Sequence, residues 1–391
     1  MALADRWLLP DGVNEMLPPL AGQVEAMRRR ILDLYDSWGY DLVMPPLVEH
    51  LESLMTGVGK DLDLNTFKVT DQVSGHLLGI RADITPQVAR IDAHRLRTDG
   101  PSRLGYCGSV LHTRPANMLA SRNPLQIGAE LYGHSGSDSD LEVISLMLES
   151  LLVAGIKTPI TLDLGHVGIV RSLLKSAGLS EAQEAEYLDL LENKAMPEIQ
   201  VFVEGLEADG AVCELLAQLP RLNGQRDVLQ KAKNLFEDTS ARSAVEYLEL
   251  IADQVSARYP QVEIYFDLSE LRGYAYHTGI VFAAFTPSYG QAIAKGGRYD
   301  EIGRDFGRAR PATGFSSDLK TLVELSAAIG QEQSELILAP AEADAELQAR
   351  IRELRASGKR VVQQLSGESP DGQAAMCQLV KQDGQWVVVT C

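Results

Sequence analysis

Apolar residues recur at Leu20, Val24, Met27, Ile31, Leu34 and Trp38, in steps of three and four that put them on one face of a helix, and Gly39 then supplies the stop. Tyr40 to Val48 (YDLVMPPLV) reads as a strand that runs into a double proline. Arg103 to Leu111 and Leu125 to Gly133 are glycine-punctuated, β-leaning stretches with the pattern of an antiparallel pair. Thr113 to Pro124 between them is rich in Pro, Asn, Ser and Arg and reads as a mobile loop. A second amphipathic helix follows over Leu141 to Leu152, then a strand over Ile160 to Leu164.

From about Gly168 to Arg258 the pattern becomes helix-forming, rich in Ala, Glu and Leu, with a capping box from Ser180 to Gln183. Aromatic and β-branched residues return at VEIYFDL (262–268), AYHTGIVFAAF (275–285) and QAIAKGG (291–297). A set of helices inserted into a sheet-based domain accounts for this order. Beyond about Glu324 the chain reads as a small separate unit: strand ELILAP, a helix ending at Gly358, strand KRVVQQL, and a hairpin around Asp383-Gly384.

Composition narrows the partners. The chain has 391 residues, 45% hydrophobic and 23% charged, as in ordinary globular proteins. Its net charge of −18 opposes a large phosphate-backbone interface, which needs Lys and Arg to neutralise it. Cys107, Cys213, Cys377 and Cys391 are scattered, without Cys-x-x-Cys or His partners at metal spacing, and read as reduced, packed thiols. The amino terminus lacks a signal-peptide pattern, and no uncharged apolar stretch approaches membrane-spanning length. A cytoplasmic protein with no metal or cofactor and no membrane partner is expected.

Four segments in order carry a resemblance: GYDLVMPPLVEH (39–50), GIRADITPQVARI (79–91), RLGYCGSVLHTRPANMLASRNPLQIGAELYGH (103–134) and ELRGYAYHTGIVFAAF (270–285), followed by KGGRYD (295–300) and PATGFSSDLKTL (311–322). Any one glycine-rich string is weak, but their order and spacing resemble the catalytic core of histidyl-tRNA synthetase, a class II synthetase. The resemblance implies an α/β (α+β) fold: an antiparallel sheet flanked by helices over 1–322, a helical insertion at about 168–258, and a small α/β domain over 323–391.

It also implies a histidine pocket at Asp83, Thr85, Gln126, Glu130, Arg272, Tyr276 and His277, with Tyr289 as a further candidate. A zwitterion bearing an imidazole needs acceptors for its ammonium and ring N–H groups and a cation near its carboxylate, and these residue types supply them. Each has a plainer reading. Arg272 pairs with a carboxylate in the sheet core, His277 is a structural strand histidine, and Gln126 and Glu130 form a solvent-facing stripe. Asp83 and Thr85 cap a helix before Pro86, and Tyr289 closes a turn. Asp83 stands where the family has Glu, His277 where it has Tyr, and Ala275 where it has Asp.

The nucleotide half departs further. Adenylation needs cations aimed at the phosphates. The sequence has His112 at one family arginine position, within a run one residue shorter that leaves Arg114 as a possible substitute, and Lys320-Thr321 where the family has Glu-Arg. With a shortened carboxyl end, the chain is similar to the synthetase-like regulatory subunits of ATP phosphoribosyltransferase. That resemblance implies no catalytic residues and no tRNA. It further implies a self-dimer through the first motif, and a hetero-oligomer, expected as a hetero-octamer, with the short catalytic subunit. Histidine is the implied effector. An amino-acid-adenylating ligase and a histidine sensor with another protein client remain the other classes.

Overall fold

The computed structural model describes residues 7–56, 60–115, 120–236, 239–304, 306–326, 336–367 and 377–390. The chain divides into two compact units, Met1–Ala327 and Ala328–Cys391.

The first unit begins with α1 (Leu20–Ser37), which buries Val24, Met27, Ile31 and Tyr35, the face marked by its apolar spacing. Then come β1 (Asp41–Leu42), β2 (Val48–His50), α2 (Leu51–Met55), α3 (Lys60–Asn65), β3 (Phe67–Thr70), β4 (Leu77–Ile80) and α4 (Thr85–Arg90). The long strands β5 (Ser102–Ser109) and β6 (Leu125–Tyr132) lead to α5 (Ser137–Val153), a helix buried on most sides, and to β7 (Thr161–His166). The inserted helices are α6 (Val167–Ala177), α7 (Glu181–Glu192), α8 (Met196–Glu204), α9 (Gly210–Gln218), α10 (Asp227–Leu235) and α11 (Thr239–Arg258), with the short strand β8 (Asn223–Gly224) among them. The capping box at α7 is formed: Gln183 N donates to Ser180 Oγ at 3.4 Å and Ser180 N donates to Gln183 Oε1 at 3.0 Å. The unit closes with β9 (Glu263–Asp267), β10 (Ile280–Thr286), β11 (Tyr289–Arg298), β12 (Ala312–Asp318) and α12 (Leu319–Leu325).

Nine strands form one sheet in the order β1-β5-β6-β12-β11-β10-β7-β9-β8. The stretch from β5 to β7 is antiparallel throughout, but β1 joins β5 and β9 joins β7 in parallel, so the sheet is mixed where an antiparallel one was expected. Parallel neighbours need long crossover connections. The inserted helices provide one between β7 and β9, and the segment after β1 provides the other.

The strand expected over Tyr40 to Val48 is also corrected. It reduces to the two residues of β1, because Pro45 and Pro46 cannot donate to a ladder. β2 then starts a separate three-stranded sheet, β2-β4-β3. In the loop expected from Thr113 to Pro124, the described residues form neither helix nor strand, and 116–119 lie outside the described residues.

The second unit holds β13 (Leu336–Ala339), α13 (Ala345–Ala356), β14 (Arg360–Gln363), β15 (Cys377–Gln382) and β16 (Gln385–Thr390), in sheet order β14-β13-β15-β16. Leu347, Ile351 and Leu354 of α13 pack with Ile337, Leu379 and Trp386 of the sheet. Asp383 (φ 47°) and Gly384 (φ 80°) make the β15–β16 turn, as their sequence implied.

Candidate functional site

One face of the large sheet, between β6, β12, β11 and the chain before β10, floors a cleft of about 1060 Å³. The start of α4 and one side of α7 supply walls. Asp83, Thr85, Glu130, Arg272, Tyr276 and His277 all line it, so six of the eight sequence-predicted residues are brought together from distant parts of the chain.

Glu130 is the most enclosed of them. Both its neighbours across the sheet are glycines or lie beside glycines, and it pairs in register with Gly314 of β12. A Cβ on Gly314 would sit 1.4 Å from Glu130 Oε2, so the carboxyl group occupies the space that any side chain at 314 would need. Thr85 Oγ1 and Tyr106 OH each donate to Oε1 at 3.0 Å, and Tyr299 OH donates to Oε2. Burial nevertheless dominates and pushes the Glu130 carboxyl up to about 8, with the three hydroxyl donors opposing it.

Asp83 is positioned by a short backbone turn and by Gln126. Its Oδ1 accepts from Thr85 N at 2.9 Å and from Gln126 Nε2 at 2.8 Å, while Gln126 Oε1 accepts from Ile84 N at 2.9 Å. Gln126 therefore acts behind Asp83 and does not itself line the cleft. The cap reading of Asp83–Thr85 is met only by the bond from Thr85 N to Asp83, because α4 starts at Thr85, Ile84 holds the N-cap position without a side-chain cap, and the Thr85 hydroxyl turns to Glu130.

Arg272 is already engaged. Its Nε donates to Glu270 Oε2 at 2.7 Å and its Nη2 to Asp163 Oδ2 at 2.6 Å and also to Glu270, and the guanidinium lies 5.3 Å from the Phe285 ring centroid. Burial raises Asp163 to about 6, with Arg272 pulling it down and Glu270 pushing it up. Gly273, at φ 63°, turns the chain tightly beneath His277, where a Cβ would approach His277 Nδ1 to 2.5 Å. His277 Nδ1 lies 3.1 Å from the Arg272 carbonyl, which only accepts, so Nδ1 carries the proton and Nε2 is left as an acceptor. Burial lowers this imidazole to about 4, which keeps it neutral. Tyr276 stacks on it at 4.2 Å between centroids.

Tyr289 is the candidate that the structure does not bring to the cleft. It begins β11, opposite Thr286 in the β10–β11 hairpin, whereas the cleft is floored by Gly296 and Gly297 at the other end of the strand. Seven residues of strand separate the two ends by roughly 23 Å.

Several lining residues escaped sequence reasoning: Asp163, Glu270, Asp189, Glu192 and Lys295. Glu270 carried a signal, its spacing of two from Arg272. Asp189 and Glu192 lie in the stretch that read only as helix-forming. Six lining carboxylates (Asp83, Glu130, Asp163, Asp189, Glu192, Glu270) thus face two cations, Arg272 and Lys295. Among the described residues no group of three or more His, Cys, Asp or Glu could hold a metal ion.

Where the sequence departs from the family's nucleotide motifs, side chains are bonded within the protein instead. Lys320 Nζ donates to the Asn123 carbonyl at 2.6 Å, and Thr321 Oγ1 donates to Asp318 Oδ2 at 3.1 Å. His112 Nε2 lies 3.0 Å from the Ala82 carbonyl. Arg122 donates from Nε to His112 O and from Nη1 to Asp11 O, both at 3.0 Å, and lies over Phe67. Arg114 is exposed and does not line the cleft.

Comparison with known proteins agrees along the whole chain. Residues 12–322 match the histidyl-tRNA synthetase family, and residues 334–389 match the C-terminal domain of the ATP phosphoribosyltransferase subunit HisZ. The chain is 54% identical over 393 residues to the ATP phosphoribosyltransferase regulatory subunit of Thioalkalivibrio sulfidiphilus, covering 99% of each. It is 54% identical over 394 residues to that of Azotobacter vinelandii, covering 100% of this chain and 99% of the other. An ATP phosphoribosyltransferase regulatory subunit/histidyl-tRNA synthetase from Bacillus halodurans shares the structure with a TM-score of 0.82 at 28% identity, over 93% of this chain and 94% of that one. At the level of fold alone, a chain of the HisG:HisZ ATP phosphoribosyl transferase complex of Thermotoga maritima aligns with a TM-score of 0.58 at 20% identity, over 75% and 96%. A synthetase-type core followed by this particular C-terminal domain, with full-length relatives at this identity, places the chain in the family of ATP phosphoribosyltransferase regulatory subunits.

Proposed function

We propose that this regulatory subunit performs no chemistry of its own, assembles with the short catalytic subunit of ATP phosphoribosyltransferase, and takes histidine into its cleft as the feedback effector. The observation that carries the reading is the convergence of Asp83, Thr85, Glu130 and His277 on one cavity, beside positions 112 and 320, whose side chains are bonded to backbone carbonyls, and 321, whose hydroxyl is bonded to Asp318. Histidine offers an ammonium and ring N–H groups to these acceptors. Arg272, with Nε and Nη2 held by Asp163 and Glu270, keeps its Nη1 group for a carboxylate.

The HisG:HisZ complex of T. maritima supports the choice of partner. Exposed Leu42, Met44, Leu47 and Val48 in the first motif support a self-dimer through that segment. Histidine regulates only by its differential affinity for two states of the assembly.

The test is phosphoribosyl transfer by the short catalytic subunit, with and without this chain, across a histidine titration. Activation by this chain, with inhibition weakened by Glu130→Ala, is the expected result. Pyrophosphate exchange by this chain with any amino acid would overturn the non-catalytic assignment. Activation with unaltered inhibition in the variant would move the effector site elsewhere.

A further inference from the structure

The segment that supplies Asp83 and Thr85 to the cleft also grips an exposed apolar stretch of the first unit. Met44 is 75% exposed and Leu42 and Leu47 are each 46% exposed, yet the backbone beneath them is fixed from below by buried polar side chains. Pro45 and Pro46 lie outside any strand, so their carbonyls need donors from elsewhere. Arg81 donates from Nη1 to the Pro45 carbonyl at 2.7 Å and from Nε to the Ser109 carbonyl at 2.9 Å. Gln87, buried on the first turn of α4, donates from Nε2 to the Pro46 carbonyl at 2.8 Å and to Glu49 Oε1 at 2.9 Å. Arg90 closes on the same Glu49 oxygen at 2.5 Å, and Arg81 N donates to the Leu47 carbonyl at 3.0 Å. Between Arg81 and Gln87 lie the cleft residues Asp83 and Thr85, in an unbroken run whose second half is helical.

We propose that Arg81–Arg90 is the element through which occupancy of the cleft is communicated to the exposed strip 42–48. A ligand held by Asp83 and Thr85 fixes the start of α4. The helix is rigid over this length, and Gln87 and Arg90 on it have no slack in their bonds to Pro46 and Glu49. A small rotation at the helix start therefore moves the strip. Networks of this kind carry coupling when both ends bias the same element. The inference rests on the reading of the cleft as the effector site and adds the route by which that site acts.

The experiment uses the full chain assembled with the catalytic subunit, in the wild type, Gln87→Met and Arg90→Met. Histidine affinity is read by calorimetry and maximal histidine inhibition by activity. Gln87→Met keeps the side-chain volume and removes both donations, and Arg90→Met removes only the pair with Glu49. The expected result is histidine affinity within about threefold of wild type, with maximal inhibition reduced by about half or more, a separation of binding from response. If Gln87→Met fails to assemble, Arg90→Met decides. Full inhibition with an unchanged dose response in the assembling variants would overturn the relay while leaving the effector site intact. Failure of histidine to bind the wild-type assembly would remove the effector reading itself and the relay with it.

Discussion

Two neighbouring regions of the first unit's large sheet use polar side chains in opposite ways. Around β6 and β12, Asp83, Thr85 and Glu130 face a cavity, with Gln126 behind them setting the geometry. Around His112, Arg122 and Lys320, a short distance along the same chain segments, the cations and hydroxyls are bonded to carbonyls and to the cap of α12. A ligand needs groups held in place whose lone pairs or protons remain available, and the first region meets that condition. In the second region the groups are held in place by being consumed. Residue identity alone does not separate these cases, since Arg122 and Lys320 are cations of the kind that bind phosphate. What separates them is where each hydrogen bond goes.

The strongest way to break the contrast is Gly314→Ala. The new Cβ displaces the Glu130 carboxyl, so the variant is expected to lose about 1–3 kcal/mol of stability by overpacking and to lose histidine binding. Denaturant unfolding and calorimetry check both. Glu130→Gln comes next, with histidine affinity expected to fall about tenfold or more.

Its pH dependence sharpens the point. A carboxyl raised in the fold to about 8 from 4.5 favours the folded state fully below 4.5 and loses that contribution as pH rises toward 8. Wild type should therefore lose stability relative to Glu130→Gln between pH 5 and pH 8.5 (on the order of a kcal/mol or more), and urea midpoints at both values test it. A constant gap would mean Glu130 titrates normally. The smallest effect belongs to the other region. Lys320→Met removes one bond to the Asn123 carbonyl and should cost about 1 kcal/mol while leaving histidine affinity unchanged.

Much of the fold was legible because single elements announce themselves locally. The spacing from Leu20 to Trp38 gave α1, Ser180 and Gln183 gave the start of α7, and Asp383-Gly384 gave the last hairpin. β12 was not legible as a strand. ATGFSSD has little alternation because this central strand lies under Glu130, Tyr299 and the cleft, where small residues make room. The parallel joins of β1 and β9 depend on partners far along the chain, which no local pattern records.

At the site, resemblance located six lining residues but not the two carboxylates that hold one of them. Arg272 stands where expected, and its plainer reading as the partner of a carboxylate also holds: Glu270 and Asp163 engage it, Asp163 coming from β7, far away in sequence. Tyr289 failed for a simple reason of reach, lying at the wrong end of β11.

The balance of charge around the cleft has a consequence for life among other metabolites. Five carboxylates against two cations, one of them already held between two of those carboxylates, with Glu130 beside them kept protonated near neutral pH, make a cavity that repels polyanions. Adenine nucleotides and phosphorylated sugars are the reactants of the enzyme that this family regulates, and they are abundant wherever it works. A regulator whose pocket admitted them would report on fuel supply instead of on product. On the reading proposed above, the acidic lining disfavours those polyanions, so that a zwitterionic amino acid can be taken up in their presence.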